Sequence, residues 1–276
     1  MTNIDNSWII PYLYLMNSKA DSPFKIIHHR DFASISSENT GEYVSESNKE
    51  FYITYVEVDA RLTKDGRLVV SHNNDLLVDD RHVRISDTDY REVTRFRLGS
   101  GNKILSLKEA IFLADGGVII NPRFDDNYKT VCDELIRELR RYRKSANIIV
   151  QSTNVDALIY LKKNSSIDCQ LVVNGDNYQS IHLFDRISLD YYILDNSVKR
   201  GIDLYKEFAI RNKKMTLTSI NSEDDLERTL NIVGNDYKEV TFSSCYPKMV
   251  YEKLKAKEDS KKGEKWKWNG CYGQLQ

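Results

Sequence analysis

The sequence predicts an α/β fold, a closed (β/α)₈ TIM barrel, and three observations lead to that prediction. Short runs of β-branched and apolar residues recur along the chain, helical patterns lie between most of them, and 276 residues suit one such barrel. The eight runs are KIIHH from 25, ITYVEVDA from 53, GVIIN from 117, NIIVQS from 147, CQLVVN from 169, YYILD from 191, MTLTSI from 215 and EVTFSS from 239. Closure removes the strand edges that the alternative, a doubly wound open sheet, would expose.

The connections between these runs carry helical patterns. Residues 128–144 place Val131, Leu135, Ile136 and Leu139 at helical spacing, and SEDDLERTLNIV opens on Ser222 with three acidic residues behind it. The second connection, residues 60–116, is the longest and contains a TKDG turn, a further strand RLVVSH and the helical SLKEAIFLA. Long connections that follow barrel strands commonly carry function.

Composition limits the function classes. The chain has 40 Lys and Arg against 41 Asp and Glu, so its net charge of -1 gives no general attraction for nucleic acid. The apolar stretch near the N-terminus lacks a positively charged leader region and is interrupted by Pro11, which predicts a mature, cytoplasmic protein. Four cysteines without a CxxC pair predict neither a zinc site nor a disulfide framework.

The sequence divides into three parts: an N-terminal extension at 1–24, the barrel at 25–256, and a basic tail with two tryptophans at 257–276. Weak apolar periodicity in the tail predicts an extended or partly disordered segment. Its interleaved Lys and Trp residues suit an anionic membrane surface, although a solvated tail is the default interpretation. The sequence specifies no oligomeric state.

Two carboxylates in the second run are the first functional signal. Glu57 and Asp59 lie two residues apart on a strand, so both project from the same face. Two neighbouring anions in a partly enclosed site repel each other, and a hard cation with oxygen ligands relieves that repulsion. The pair therefore predicts a site for one divalent cation, Mg²⁺ or Ca²⁺.

Further polar side chains end other strands. His29 and Arg30 follow the first run, His72 ends RLVVSH, and Asn121 and Arg123 end the third run. Because the carboxyl ends of barrel strands form one functional face, we expect these residues to converge. Two imidazoles can act as general base and general acid, and guanidinium groups match phosphate oxygens, so the set favours phosphodiester cleavage.

At these residues the sequence resembles the glycerophosphodiester phosphodiesterase family. The family's successive motifs are here HRD from 29, ENT from 38, EVD from 57, KDG from 64 and HN from 72, and the resemblance extends over roughly residues 25 to 255. It implies a barrel of the phospholipase-C-like phosphodiesterase type, with His29 and His72 as the acid/base pair. It also implies a cation held by Glu57 and Asp59 and a phosphate held by Arg30.

The sequence departs from the family pattern at five positions. They are Asp31 for a glycine, Asn121 for a third metal carboxylate, Arg123 for a lysine, Thr218 for a tryptophan and Cys245 for an aspartate. An amide carbonyl at 121 still offers an oxygen ligand, but the lost charge predicts weaker cation binding. Asp125 and Asp126 are close enough in sequence to compensate.

The leading hypothesis is a cytoplasmic, metal-dependent phosphodiesterase that hydrolyses a glycerophosphodiester or a related small alcohol-phosphate diester. One alternative is a phospholipase-D-like transphosphatidylase, in which an internal hydroxyl attacks and leaves a cyclic phosphate. Another is a catalytically impaired protein that binds phosphodiesters without cleaving them. Two neighbouring features receive supporting roles: His28 should face the helix layer, and the Asn or Thr of ENT should cap a turn or helix.

Overall fold

The computed structural model describes residues 22–29, 39–98, 101–115, 117–124, 127–142, 147–173, 191–195, 205, 206, 209 and 213–272. Within these ranges the strands are β1 (Lys25–His28), β2 (Tyr55–Leu62), β3 (Leu68–Val70), β4 (Asp75–Val78), β5 (Arg81–Arg84), β6 (Gly117–Pro122), β7 (Asn147–Ser152), β8 (Asp168–Val173), β9 (Tyr191–Asp195), β10 (Lys214–Thr218) and β11 (Thr241–Ser244). The α-helices are α1 (Gly41–Lys49), α2 (Tyr90–Val93), α3 (Leu107–Ala114), α4 (Tyr128–Leu139), α5 (Val155–Asn164), α6 (Glu223–Val233) and α7 (Pro247–Tyr272). Short 3₁₀ helices cover Ile85–Asp87 and Gly234–Lys238.

In the described part of the chain, eight parallel strands close into a barrel. Their order is β1, β2, β6, β7, β8, β9, β10 and β11, and β1 pairs with both β2 and β11. Each of the eight runs read from the sequence supplies one of these strands, so the predicted barrel is confirmed and the open sheet is excluded. Gly117 begins β6 where a Cβ atom would lie 2.4 Å from the Thr54 carbonyl oxygen, a contact that glycine avoids.

Helix starts in the barrel are fixed by polar side chains that cap backbone N–H groups. The N-cap residues that accept such bonds are Thr40, Ser106, Asn127, Asn154 and Ser222. Ser106 and Glu109 form a reciprocal capping box at the start of α3. The predicted helices after β6 and β10 are therefore confirmed, and so is the capping role expected of ENT.

Alternation along β2 separates the core from the site. Val56, Val58 and Ala60 point into the main core between the barrel and its helices. Tyr55 lies on the opposite, interior face and packs with Ile27, Ile119 and Ile149 from neighbouring strands. Glu57 and Asp59 continue this interior face toward the carboxyl end of the barrel, which makes that end polar.

The long second connection builds a small substructure over the end of β2. Strand β3 pairs antiparallel with β2, and β4 and β5 form a hairpin with positive φ at Asp79 (48°) and Asp80 (61°), as primed turns require. A second hydrophobic core unites this region: Val69, Leu76, Val78, Ile85, Val93 and Ile104. The predicted turn, strand and helix are confirmed, whereas the hairpin and its core were not predicted.

The C-terminal tail differs from its prediction. Helix α7 runs from Pro247 to Tyr272, so residues 257–272 are helical rather than extended, and the boundary drawn at 256 falls inside a helix. The buried side chains of Val250 and Leu254 attach the start of α7 to the main core, and Glu258 accepts a hydrogen bond from the Tyr237 hydroxyl at 2.8 Å. These contacts fix the first turns, from which helix formation propagates along a Lys- and Glu-rich sequence.

Helix length and hydropathy show whether any described helix could span a membrane. Among the described residues no helix combines the length and the apolar character needed to cross a bilayer.

At the N-terminal end of the described chain, Phe24 packs against Tyr237 and Tyr251, although it was assigned to the N-terminal extension. Residues 1–21 lie outside the described ranges.

Candidate active site at the carboxyl end of the barrel

His29 stands between two side chains at the end of β1. Its Nε2 lies 3.7 Å from Oε2 of Glu57, and its Nδ1 lies 3.6 Å from the sulfur of Cys245, which follows β11. The backbone N–H of His29 donates to the Ser244 carbonyl at 2.9 Å, so the strand pairing continues up to this residue. The ring is therefore held by an anion on one side and a thiol on the other, with 24% of its side chain exposed.

Asp59 is buried and hydrogen-bonded through both of its oxygens. Arg123 donates from Nε at 3.0 Å and from an Nη at 2.7 Å to Oδ1, and Asn39 Nδ2 donates to Oδ2 at 3.1 Å. Asn39 also accepts the backbone N–H of Asp59 through Oδ1 at 2.8 Å. With Asp59 fully excluded from solvent, the partly exposed Arg123 guanidinium compensates its charge.

Glu57 is the second buried carboxylate of the site. Its side chain is 2% exposed, and Oε1 has no hydrogen-bond partner among the described residues. A buried anionic oxygen without a partner is costly, and a cation would satisfy it. Asn121 lies beside Asp59 in the β2–β6 register, and hence on the same face of the sheet.

These observations test whether the residues fit a divalent cation. Glu57, Asp59 and Asn121 offer the oxygen ligands that Mg²⁺ and Ca²⁺ prefer. The described residues contain no group of three His, Cys, Asp or Glu side chains that could hold a metal ion. The chemistry of these oxygen donors therefore fits a hard cation, although Arg123 occupies Oδ1 of Asp59 in this structure.

His72 approaches the site through the backbone of the long connection. The N–H of Ser71 donates to the Asp59 carbonyl at 3.0 Å, and Arg61 donates to the His72 carbonyl from Nε at 2.9 Å and from an Nη at 2.7 Å. The His72 ring itself contacts Asn73, with 2.9 Å between Nδ1 and Oδ1. Its segment therefore lies at the end of β2, where the imidazole contacts Asn73 rather than His29.

The structure thus brings some predicted residues together and leaves others undescribed. His29 contacts Glu57, and Arg123 contacts Asp59. The two carboxylates lie on one face of β2, and Asn121 is adjacent to Asp59 by register. The predicted phosphate ligand Arg30 lies outside the described residues, as do Asp31, Asp125 and Asp126. Thr218 is buried at the end of β10, and the following Ser219 has a left-handed φ of 63°.

Three contacts of the site were missed from the sequence. Asn39 was assigned only to turn or helix support, Cys245 only to the substrate side, and Arg61 to nothing. The strand periodicity of β2, which puts Arg61 on the same face as Asp59, could have identified that residue. His28, by contrast, faces the helix layer as predicted, with Nδ1 2.7 Å from the Ser47 hydroxyl and its ring against Tyr43.

A closed parallel barrel with its titratable and charged side chains at the carboxyl ends of the strands is the architecture of α/β-barrel enzymes. Residues 29–193 match the model of the glycerophosphoryl diester phosphodiesterase family, and this match spans more than half of the chain. The chain therefore belongs to the glycerophosphoryl diester phosphodiesterase family, whose members are phosphoric diester hydrolases. Comparison with curated proteins gives no significant match.

Solved structures share the fold at low sequence identity. A phosphodiesterase of Oleispira antarctica in complex with the product sn-glycerol-3-phosphate matches with a TM-score of 0.71 at 19% identity, covering 84% of this chain and 96% of that one. A glycerophosphodiester phosphodiesterase of Thermotoga maritima gives 0.65 at 21%, covering 83% and 97%. One from Parabacteroides distasonis gives 0.68 at 16%, covering 86% and 98%.

Proposed function

We propose that the protein is a metal-dependent phosphodiesterase that hydrolyses a glycerophosphodiester or a related small alcohol-phosphate diester, with His29 and His72 as its acid/base pair. The observation that carries the proposal is the presence of two ion pairs, His29 with Glu57 and Arg123 with Asp59, at the carboxyl end of the barrel. Family membership supports the reaction class, and the glycerol phosphate bound to the Oleispira antarctica phosphodiesterase supports the substrate class.

Hydrolysis needs two proton transfers at the reacting phosphorus. As water attacks and the bond from phosphorus to the alcohol oxygen breaks, one imidazole takes the proton of the water and the other gives a proton to the leaving alkoxide. His29 suits such a task because its ring is held between Glu57 and Cys245 while part of it stays exposed to a ligand. His72 takes the second role in this proposal.

The anionic substrate also requires positive charge. Arg123 has 28% of its side chain exposed at the rim and can present further N–H donors to phosphate oxygens, and Arg30 joins it in this proposal. A cation, Mg²⁺ or Ca²⁺, would be held by Glu57, Asp59 and Asn121. When bound, it would neutralise negative charge that develops on the phosphate in the transition state.

The proposal is tested by incubating the purified protein with a panel of glycerophosphodiesters in Mg²⁺, in Ca²⁺ and in chelator, and measuring the released alcohol. His29→Ala should reduce release by a factor of roughly a hundred or more. The matched control is His28→Ala, which removes the neighbouring imidazole from the helix-facing side and should leave release unchanged. His72→Ala tests the second imidazole in the same assay.

The same assay separates the alternatives. A cyclic phosphate product detected by phosphorus NMR would indicate transphosphatidylation instead of hydrolysis. No release from any diester, together with thermal stabilisation by those diesters, would indicate the binding protein instead. Equal release in chelator and in Mg²⁺ would remove the cation from the proposal, and full activity of His29→Ala would remove the acid/base assignment. The cytoplasmic location remains a prediction from the sequence.

A further inference from the structure

We propose that Arg123 couples cation binding to phosphate binding by exchanging between Asp59 and the phosphate group of the ligand. In the structure the guanidinium occupies a carboxylate oxygen of Asp59 that a cation would need, and in this proposal a bound phosphate draws the guanidinium away. Cation and phosphate then bind cooperatively. This inference rests on the proposed phosphodiesterase site and adds to it an order of events.

The contacts of Asp59 make its two oxygens unequal. Oδ2 is bound by Asn39, whose amide oxygen also accepts the Asp59 N–H, so this pair is fixed by two hydrogen bonds between buried groups. Oδ1 is bound by Arg123 through two nitrogen atoms, at 3.0 and 2.7 Å. Oδ1 is therefore the oxygen that a cation would take, and Arg123 is the group that it would have to displace.

Arg123 is suited to move because it is the exposed member of this cluster. Asp59 is completely buried, whereas Arg123 keeps 28% of its side chain in contact with solvent. Phosphate oxygens are bound by guanidinium in a bidentate manner, and a monoester such as sn-glycerol 3-phosphate also carries more negative charge than one carboxylate. A phosphate at the rim can therefore compete for Arg123 without any movement of the barrel strands.

Glu57 shows why the cation needs this exchange. Its Oε1 is already available, buried and without a partner among the described residues. One carboxylate is a weak site for Mg²⁺, and Asn121 adds no charge, so affinity depends on whether Asp59 is released. A guanidinium and a divalent cation also repel each other strongly when both lie against one buried carboxylate.

The coupling is measurable as a reciprocal change in affinity. We expect sn-glycerol 3-phosphate to tighten Mg²⁺ binding by about tenfold, within the usual range for coupled sites, and Mg²⁺ to tighten sn-glycerol 3-phosphate binding by the same factor. Isothermal titration calorimetry of the wild-type protein measures both affinities directly. Glycerol without phosphate is the control ligand and should leave Mg²⁺ binding unchanged.

Arg123→Met separates the exchange from direct contact between phosphate and cation. Without the competing guanidinium, Mg²⁺ alone should bind about tenfold tighter than to the wild type, and sn-glycerol 3-phosphate should add little further. The matched control is Arg228→Met, which removes the same charge from an exposed ion pair with Asp225 on α6 and should change neither affinity. In the wild type, the Nε–H resonance of Arg123 gives a second readout and should shift on addition of sn-glycerol 3-phosphate alone.

Two results would overturn the inference: an Mg²⁺ affinity that is the same with and without sn-glycerol 3-phosphate, or an Arg123→Met variant that binds Mg²⁺ alone no tighter than the wild type. If the variant does not fold, the wild-type titration and the resonance still decide. Hydrolysis of diesters without coupling would remove this inference and leave the proposed function. Coupling without hydrolysis of any diester would leave this inference and remove the proposed hydrolysis.

Discussion

At the scale of single residues, Asn39 has two roles. Its φ of 61° turns the chain just before the N-cap of α1, and its side chain forms two hydrogen bonds with Asp59. Asparagine suits both roles, since it tolerates left-handed backbone better than most residues and carries both a donor and an acceptor. It thereby fixes the carboxylate that Arg123 and a cation would share.

Asn39→Gly should isolate the side-chain contribution, because glycine adopts the left-handed conformation without strain. Loss of both bonds leaves the buried Asp59 N–H unsatisfied and should lower the free energy of unfolding by about 1–3 kcal/mol in urea denaturation. Asp80→Gly is the matched control at another left-handed position, in an exposed hairpin turn. A variant at Asn39 that is as stable as the wild type would contradict this role.

Cys245 is a second residue whose importance follows from one contact, 3.6 Å from its sulfur to Nδ1 of His29. If it positions the ring, Cys245→Ala should lower kcat by roughly two- to tenfold with KM unchanged, as the net worth of one hydrogen bond implies. Cys245→Ser should recover most of kcat, because a hydroxyl can make the same bond. Steady-state kinetics on the diester found active would decide, with Cys169→Ala as a buried-thiol control; an effect confined to KM would argue against positioning.

At the scale of elements, the long connection behaves as a unit beside the barrel. Some of its side chains form a small hydrophobic core of their own, whereas others, such as Leu68 and Leu107, belong to the main core. The connection meets β2 through β3 and through Ser71. Arg61 ties the backbone of His72 to β2. The position of the proposed second imidazole therefore depends on the small core as well as on these hydrogen bonds to β2.

Ile85→Ala tests whether the small core of the long connection unfolds separately from the barrel. Ile85 is fully buried in the small core, so its truncation should cost about 2–5 kcal/mol, and we expect the loss to be local. Hydrogen exchange should accelerate in residues 75–93 and stay unchanged in β1 and β11. Ile26→Ala, an equally buried change in the main core, should accelerate exchange throughout the barrel. Equal acceleration everywhere in Ile85→Ala would show one cooperative unit.

At the scale of the whole molecule, the parallel barrel was predictable because each strand carries its own local signal. Period-two alternation placed Glu57 and Asp59 together on the interior face, and the strand ends identified His29 and Arg123. The hairpin was harder, since an exposed strand such as Arg81–Arg84 has one partly buried side chain and no apolar run. The helical tail was misjudged because tertiary contacts of Leu254 and Glu258 start it.

The site was less predictable than the fold, since its decisive contacts join residues far apart in sequence. Arg123 and Asp59 are 64 positions apart, and Cys245 and His29 are 216 apart. Strand periodicity shows that such residues share an end of the barrel but not which atoms meet. The pairing of Arg123 with Asp59, a proposed cation ligand, is visible only in the three-dimensional packing of side chains. The same holds for the Glu57 oxygen that has no partner among the described residues.

Burial of two thiols gives the whole fold a pH dependence. Burial raises the pKa of Cys132 and of Cys169 to about 12 each, whereas a thiol in the unfolded chain ionises near 8.5. Above that pH the unfolded state loses protons that the native state keeps, so the stabilisation is complete below about pH 8.5 and is lost as pH rises toward about 12. Each thiol should remove up to about 1.4 kcal/mol per pH unit in this window.

Urea denaturation at half-unit steps from pH 8 to 11 should show this fall in the free energy of unfolding. In the double variant Cys132→Ala with Cys169→Ala, the fall should be smaller between pH 9 and 10. Above pH 10 both proteins should continue to lose stability, because burial also raises the pKa of Tyr237, to about 12, and that of Tyr52. Equal slopes for wild type and variant between pH 9 and 10 would mean that other groups carry the alkaline sensitivity. Neither native thiol should react with iodoacetamide at pH 8, since the reagent attacks thiolates.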